Sequence, residues 1–141
     1  MMKYSKTEIE DLVKGFSDGT LPKSEWTHEA HLVVAIWYNV NYDFQTAFEL
    51  VKSKIKVYNQ VVGTVNSDTS GYHETLTLFW MRITNNFLLT NRSVPIDEVT
   101  NRFLGCDLAS KDCPLEYYSK TLLFSKKARK HWVNGDLKQI R

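Results

Sequence analysis

The chain has 141 residues, of which 43% are hydrophobic and 24% charged, the balance of a globular domain rather than of a disordered chain. A formal charge of +2 is too small to imply a nucleic-acid partner by itself. No apolar run reaches membrane-spanning length, and the polar segment 1–12 does not read as a secretion signal, so the expectation is one domain over residues 1–141, cytoplasmic and without a membrane partner. The two cysteines, Cys106 and Cys113, fit no standard zinc spacing and suit reduced thiols.

Helical periodicity runs through most of the chain. Ser5-Lys6-Thr7-Glu8 reads as a capping box, followed by Ile9, Leu12, Val13 and Phe16 on one face. Asp18-Gly19 and Pro22 break that helix. A second is expected from about 24 to 39; its stretch 32–38 is apolar on all sides, which predicts a central position. After the turn at Asn41-Tyr42-Asp43, a third helix carries Phe44, Phe48, Val51, Ile55 and Tyr58 as an amphipathic stripe.

The segment 63–71 is a polar loop, and a fourth helix is expected from about 72 to 89. Pro95, with Asp97 and Glu98 in the first turn, opens a shorter helix that stops near Gly105. Further short helices are expected over 113–118 and 126–132. No stretch alternates as a strand would. The fold expected is all-α, a single-domain bundle of about four main helices with shorter C-terminal ones.

Three of the four histidines lie in two short motifs, Glu25-Trp26-Thr27-His28-Glu29-Ala30-His31-Leu32 and Gly71-Tyr72-His73-Glu74-Thr75. At about 100° per residue, His31 falls about 60° from His28 on a helix and Glu25 about 60° to the other side. In the fourth helix, Thr77 and Trp80 share the face of His73, whereas Glu74 is turned away. Packing the second helix on the fourth brings His28, His31 and His73 together, with Glu25 as the carboxylate that completes the set or serves as base. Such a set suits Zn²⁺, Fe²⁺, Mn²⁺ or Ni²⁺ and the activation of water or O₂. Trp26, Tyr72, Thr77 and Trp80 then shape a pocket for a small molecule.

The spacing H-x-x-H is not that of the H-E-x-x-H zincins, and two other readings stand beside coordination. In one, the same residues form a metal-free polar pocket. In the other, the ring nitrogens bond backbone groups and His73 caps its own helix, leaving a non-catalytic ligand-binding or interaction module. The cluster Lys126, Lys127, Arg129, Lys130 and His131 reads as a solvated helix face, with phosphate or an acidic partner as the sharper alternative. Arg82 lies off the His73 face and reads as a fold or surface residue.

Taken together, the two histidine motifs and the late segment Leu123-Phe124-Ser125-Lys126-Lys127-Ala128-Arg129-Lys130-His131-Trp132-Val133 resemble a small, uncharacterised bacterial protein family. The resemblance runs over roughly residues 16–137. It implies hallmark positions at Glu25, Trp26, His28 and His31, at Tyr72, His73, Thr75, Thr77 and Trp80, and at Arg129 and Trp132, and it implies no mechanism. A proline is expected after the Trp-Val pair, where this chain has Asn134-Gly135-Asp136. A looser likeness, of architecture only, is to DinB-like metal-dependent bundles, which gather histidines from separate helices around one ion.

Overall fold

A computed structural model describes residues 3–140, and among them the fold is all-α with no strand. Four main helices, α1 (Lys6–Asp18), α2 (His28–Asn41), α3 (Phe44–Val61) and α4 (Glu74–Leu89), are followed by the shorter α5 (Ile96–Leu104), α6 (Lys120–Leu123) and α7 (Lys126–Lys130). Three 3₁₀ turns, Lys23–Glu25, Asp107–Ala109 and Cys113–Glu116, punctuate the connections. The last of these stands where a helix over 113–118 was expected. Pro114 lies in its first turn, and its carbonyl takes the N–H groups of both Tyr117 and Tyr118.

The bundle is organised on α2, which packs against α1, α3, α4 and α5. Its sequence explains this, since Ala30, Leu32, Val33, Val34, Ala35, Ile36 and Tyr38 are all buried and leave little of its circumference for water. Val33, Val34 and Tyr38 join Ile9, Phe16, Val51 and Tyr58 in one apolar cluster between α1, α2 and α3. Leu32 and Ile36 face the other way, into a second cluster with Phe79, Ile83, Val99 and Phe103. Burial of each such side chain contributes roughly 1.5–3 kcal/mol, so α2 is the element that both clusters require.

The helix ends are set locally. Ser5 and Glu8 form the expected capping box, and the C-cap Gly19, at φ 78°, occupies the left-handed region that a side chain would strain. Asp43 caps α3 through Thr46 N–H at 2.9 Å.

The C-terminal segment is folded onto α4 rather than left as a tail. Thr75 Oγ1 donates to His131 O at 2.8 Å, and Tyr118 Oη donates to Val133 O at 2.6 Å. Asn134-Gly135-Asp136 makes a built turn: Asp136 accepts from Ser119 N–H at 2.7 Å, and a Cβ at Gly135 would collide with the carbonyls of Tyr117 and Lys138. Arg82 lies over the Trp132 ring, 4.4 Å from its centroid, a fold role as expected. Among the described residues no helix is long and apolar enough to cross a membrane. Both cysteines are free, and burial, followed by the nearby Glu116, pushes the Cys113 thiol up to about 11.

Candidate functional site: a histidine-walled cleft

The start of α2 differs from the sequence expectation in a way that matters. Lys23–Glu25 forms a 3₁₀ turn, Trp26 follows it, and Thr27 caps the helix by accepting from Ala30 N–H at 3.2 Å. The helix therefore begins at His28, four residues later than Ser24 would have started it. Glu25 is not on the helix and is exposed on the turn, so the angular relation that grouped it with His28 and His31 does not arise. It does not line the cleft described below.

The same turn sends Trp26 back across α1 and α2. Its ring stacks on Phe16 at 4.5 Å and on His31 at 3.8 Å. His31 Nδ1–H donates to Thr27 O at 2.7 Å, which fixes the tautomer and leaves Nε2 as the lone-pair nitrogen. Burial drives the His31 imidazole down to about 4 from its ordinary 6.5, against the opposing pull of the Thr27 carbonyl and with help from His28. One turn earlier, His28 Nε2–H donates to Ala109 O at 2.8 Å, and its ring stands edge-on to Trp80 at 5.1 Å. Each ring is thus held by one backbone carbonyl and one tryptophan. No protein partner is present at its other nitrogen among the described residues.

His73 is built differently. It is the N-cap of α4, in extended conformation at φ −130° and ψ 109°, and Nδ1 accepts from Leu76 N–H at 3.1 Å. Its Nε2–H donates to Leu123 O at 2.8 Å, so both nitrogens are engaged and the ring is 7% exposed. Burial lowers its proton affinity, with Arg129 acting in the same direction. A protonated ring would also lose the acceptor that caps the helix. To ligate an ion, His73 would have to give up one of these bonds. Among the described residues no group of three or more His, Cys, Asp or Glu side chains that could hold a metal ion is present.

Helix α4 starts two residues later than expected, and this re-aims Glu74. At the first helical position it receives the Tyr72 hydroxyl at 2.6 Å and pairs with Lys52 of α3 at 3.1 Å. Burial and the adjoining carboxylate push the buried Tyr72 phenol far up, so it stays protonated. Thr77 Oγ1 donates to His73 O at 2.8 Å.

Between α2, α3 and α4 these groups enclose a cleft of about 530 Å³. The structure brings His28, His31, His73, Trp26, Tyr72, Thr77 and Trp80 to its walls, and leaves out Glu25 alone of the residues expected there. Val51 and Ile55 supply the α3 wall. Sequence reading missed Asn59, Thr64 and Lys111, which also line it. Asn59 carried a usable signal: a polar residue one turn after Ile55, on an otherwise apolar stripe, and buried at 7% exposure.

The basic segment at α7 is partly consumed in closing this region. Arg129 Nη1 donates to Gly71 O at 2.8 Å, and Lys130 pairs with Asp68 at 2.8 Å, so two of the five basic residues hold the loop that follows α3. The remaining Lys126, Lys127 and His131 are exposed. Comparison with family models, curated proteins and solved structures returns no match.

Proposed function

We propose that the chain is a cytoplasmic small-molecule-binding protein, and that the cleft between α2, α3 and α4 is its ligand site. The observation that carries this reading is the pairing of two helix-mounted imidazoles, each fixed through one nitrogen and open at the other, with walls that are mainly aromatic and aliphatic. An apolar cleft of several hundred Å³ with a few convergent polar atoms is the usual form of a ligand pocket.

Holding a ligand fits these groups better than turning one over. A general base works best with its pKa near the working pH, and His31, at about 4, is a hydrogen-bond acceptor rather than a strong base at neutrality. The Tyr72 hydroxyl is kept protonated by burial and by Glu74. No Ser or Cys lines the cleft to act as a nucleophile. A metal-dependent enzyme with His28, His31 and His73 as ligands and Glu25 as base is the competing reading. It requires His73 to surrender its cap and Glu25 to reach the cleft from an exposed turn.

The test is a screen of aromatic and aliphatic fragments by ¹⁵N–¹H NMR, on protein purified without a His-tag. The expected result is saturable shifts at the Trp26 and Trp80 indole groups and the amides around them, abolished by Ala35→Phe or Thr64→Tyr, which fill the cleft from different elements. Shifts scattered over the surface, or no binding at millimolar concentration, overturn the reading. A thermal shift given by Zn²⁺, Fe²⁺, Mn²⁺ or Ni²⁺ alone, and lost in His28→Asn, replaces it with the metal-centred one.

A further inference from the structure

We propose that the occupant of the cleft is an uncharged planar molecule carrying an N–H or O–H donor, of the class of phenols, indoles and amino-substituted aromatic rings. This rests on the reading of the cleft as a ligand site and adds the ligand's chemistry. Three observations converge on it.

The first is the sense of the hydrogen bonds. Because His31 Nδ1–H and His28 Nε2–H both donate to backbone carbonyls, at 2.7 and 2.8 Å, the neutral rings offer lone pairs at their remaining nitrogens. Three donors of the lining are committed within the protein, while the Trp26 and Trp80 indoles, Thr64 and Lys111 keep their own N–H and O–H groups. The Tyr72 hydroxyl goes to Glu74 at 2.6 Å, the Thr77 hydroxyl to His73 O at 2.8 Å, and the Asn59 amide to Asn66 at 2.9 Å. The two imidazole lone pairs therefore have no protein donor, and a ligand that only accepts leaves both of them without partners.

The second is charge. No carboxylate lines the cleft, and the nearby Glu74 is already neutralised by Lys52 at 3.1 Å. A cationic ligand would lose its hydration with no counter-ion to replace it. An anion would face two imidazole lone pairs, and Lys111, the one lysine of the lining, is exposed on a loop.

The third is shape. Trp26 and Trp80 come from separate elements, each braced by another ring (Phe16 at 4.5 Å and Phe79 at 5.2 Å), so the aromatic surface is fixed before a ligand arrives. Flat rings match such walls by stacking and edge contacts, and a cleft of about 530 Å³ takes a molecule of one or two rings.

Matched pairs that differ by one methyl group test the proposal: phenol against anisole, and indole against N-methylindole, titrated by NMR into the intact chain. Phenol and indole are expected to bind about tenfold more tightly than their methylated partners, the size of one hydrogen bond. His31→Phe is expected to remove most of that preference while ring binding persists. Should His31→Phe fail to fold, the side-chain ¹⁵N spectrum of the wild-type imidazoles decides. Phenol must move the lone-pair nitrogen of His31 or His28 toward its hydrogen-bonded position, and anisole must not. Equal affinity within each pair, or tighter binding of benzoate or benzylammonium, overturns the proposal and leaves the ligand site standing. Absence of any aromatic binding in the cleft overturns both.

Discussion

At the start of α4, His73 uses both ring nitrogens on the protein, one on Leu76 N–H and one on Leu123 O. At the start of α2, His28 and His31 each use one, and the rings stand between tryptophans and a cleft. The three are the same residue type at neighbouring helix ends, and their bonding separates them into a closed joint and two open acceptors. A buried polar side chain with every valence engaged belongs to the fold. One with a valence open toward a cavity is available to something else.

The largest effect expected from this contrast is in stability. His73→Ala removes a helix cap, worth about 1 kcal/mol, and leaves the Leu123 carbonyl without its donor, a further roughly 1–3 kcal/mol. Urea unfolding should show a total loss of about 2–4 kcal/mol. His73→Asn, which restores a capping side chain but not the reach to Leu123, should recover about 1 kcal/mol of it. His31→Phe keeps the stack on Trp26 and removes one bond to the exposed N-cap Thr27, so it should cost no more than about 1 kcal/mol. Equal losses at His31 and His73 would erase the distinction between them.

This distinction was only half legible in the sequence. The apolar periodicity of α1 to α4 comes from local side-chain spacing, and the packing of α2 follows from its lack of a polar face. The expected cleft residues Thr77 and Trp80 needed no more than that, whereas Trp26 and Tyr72 reach the cleft from outside the helices. Glu25 failed because its placement depended on where the helix starts. Ser24 and Thr27 are both good caps, and the 3₁₀ turn over Lys23–Glu25 decides for Thr27. Glu74 stays out of the cleft lining, as its turned-away position implied, and the cap at His73 directs it to Lys52. The His73–Leu123 and Arg129–Gly71 bonds span 50 and 58 residues, and no local pattern encodes such partners.

A smaller effect, in the pH dependence of folding, probes the same rings. His31 and His73 both bind protons less readily folded than unfolded, so between the two pKa values the unfolded chain carries more protons and stability rises with pH. Their contribution is complete above about pH 6.5 and falls as the pH drops below it, levelling for His31 near 4. Urea midpoints measured between pH 7.5 and 4.5 should decline, and His31→Phe should flatten the curve. Carboxylates held below their ordinary 3.8, such as Asp43 beside Thr46 and Asp136 beside Ser119, act at lower pH and stay out of this window. An unchanged curve in His31→Phe would mean that its ring is not kept neutral by burial.

The smallest effect tests whether an open polar atom signals a ligand or merely a cost. Thr100 on α5 is 0% exposed, and its Oγ1 has no hydrogen-bond partner among the described residues. Unlike His28 and His31, it lines neither the main cleft nor the smaller cavity beside His28. An unpaired hydroxyl sealed in apolar surroundings destabilises, so Thr100→Val, nearly the same shape, should be neutral or stabilising by up to about 1 kcal/mol. Thr84 is the matched control: it is also 0% exposed, but its Oγ1 donates to Trp80 O at 2.7 Å and accepts from Asn39 at 3.0 Å. Thr84→Val should therefore lose about 1–2 kcal/mol, because it also leaves one Asn39 N–H without its acceptor while the other keeps Met81 O. Opposite signs at the two threonines would show that bonding decides what a buried polar atom contributes, with an open valence read as a site only where a cavity meets it. A loss at Thr100 equal to that at Thr84 would mean that its hydroxyl is paired in solution, and the inference from open valences at His28 and His31 would weaken with it.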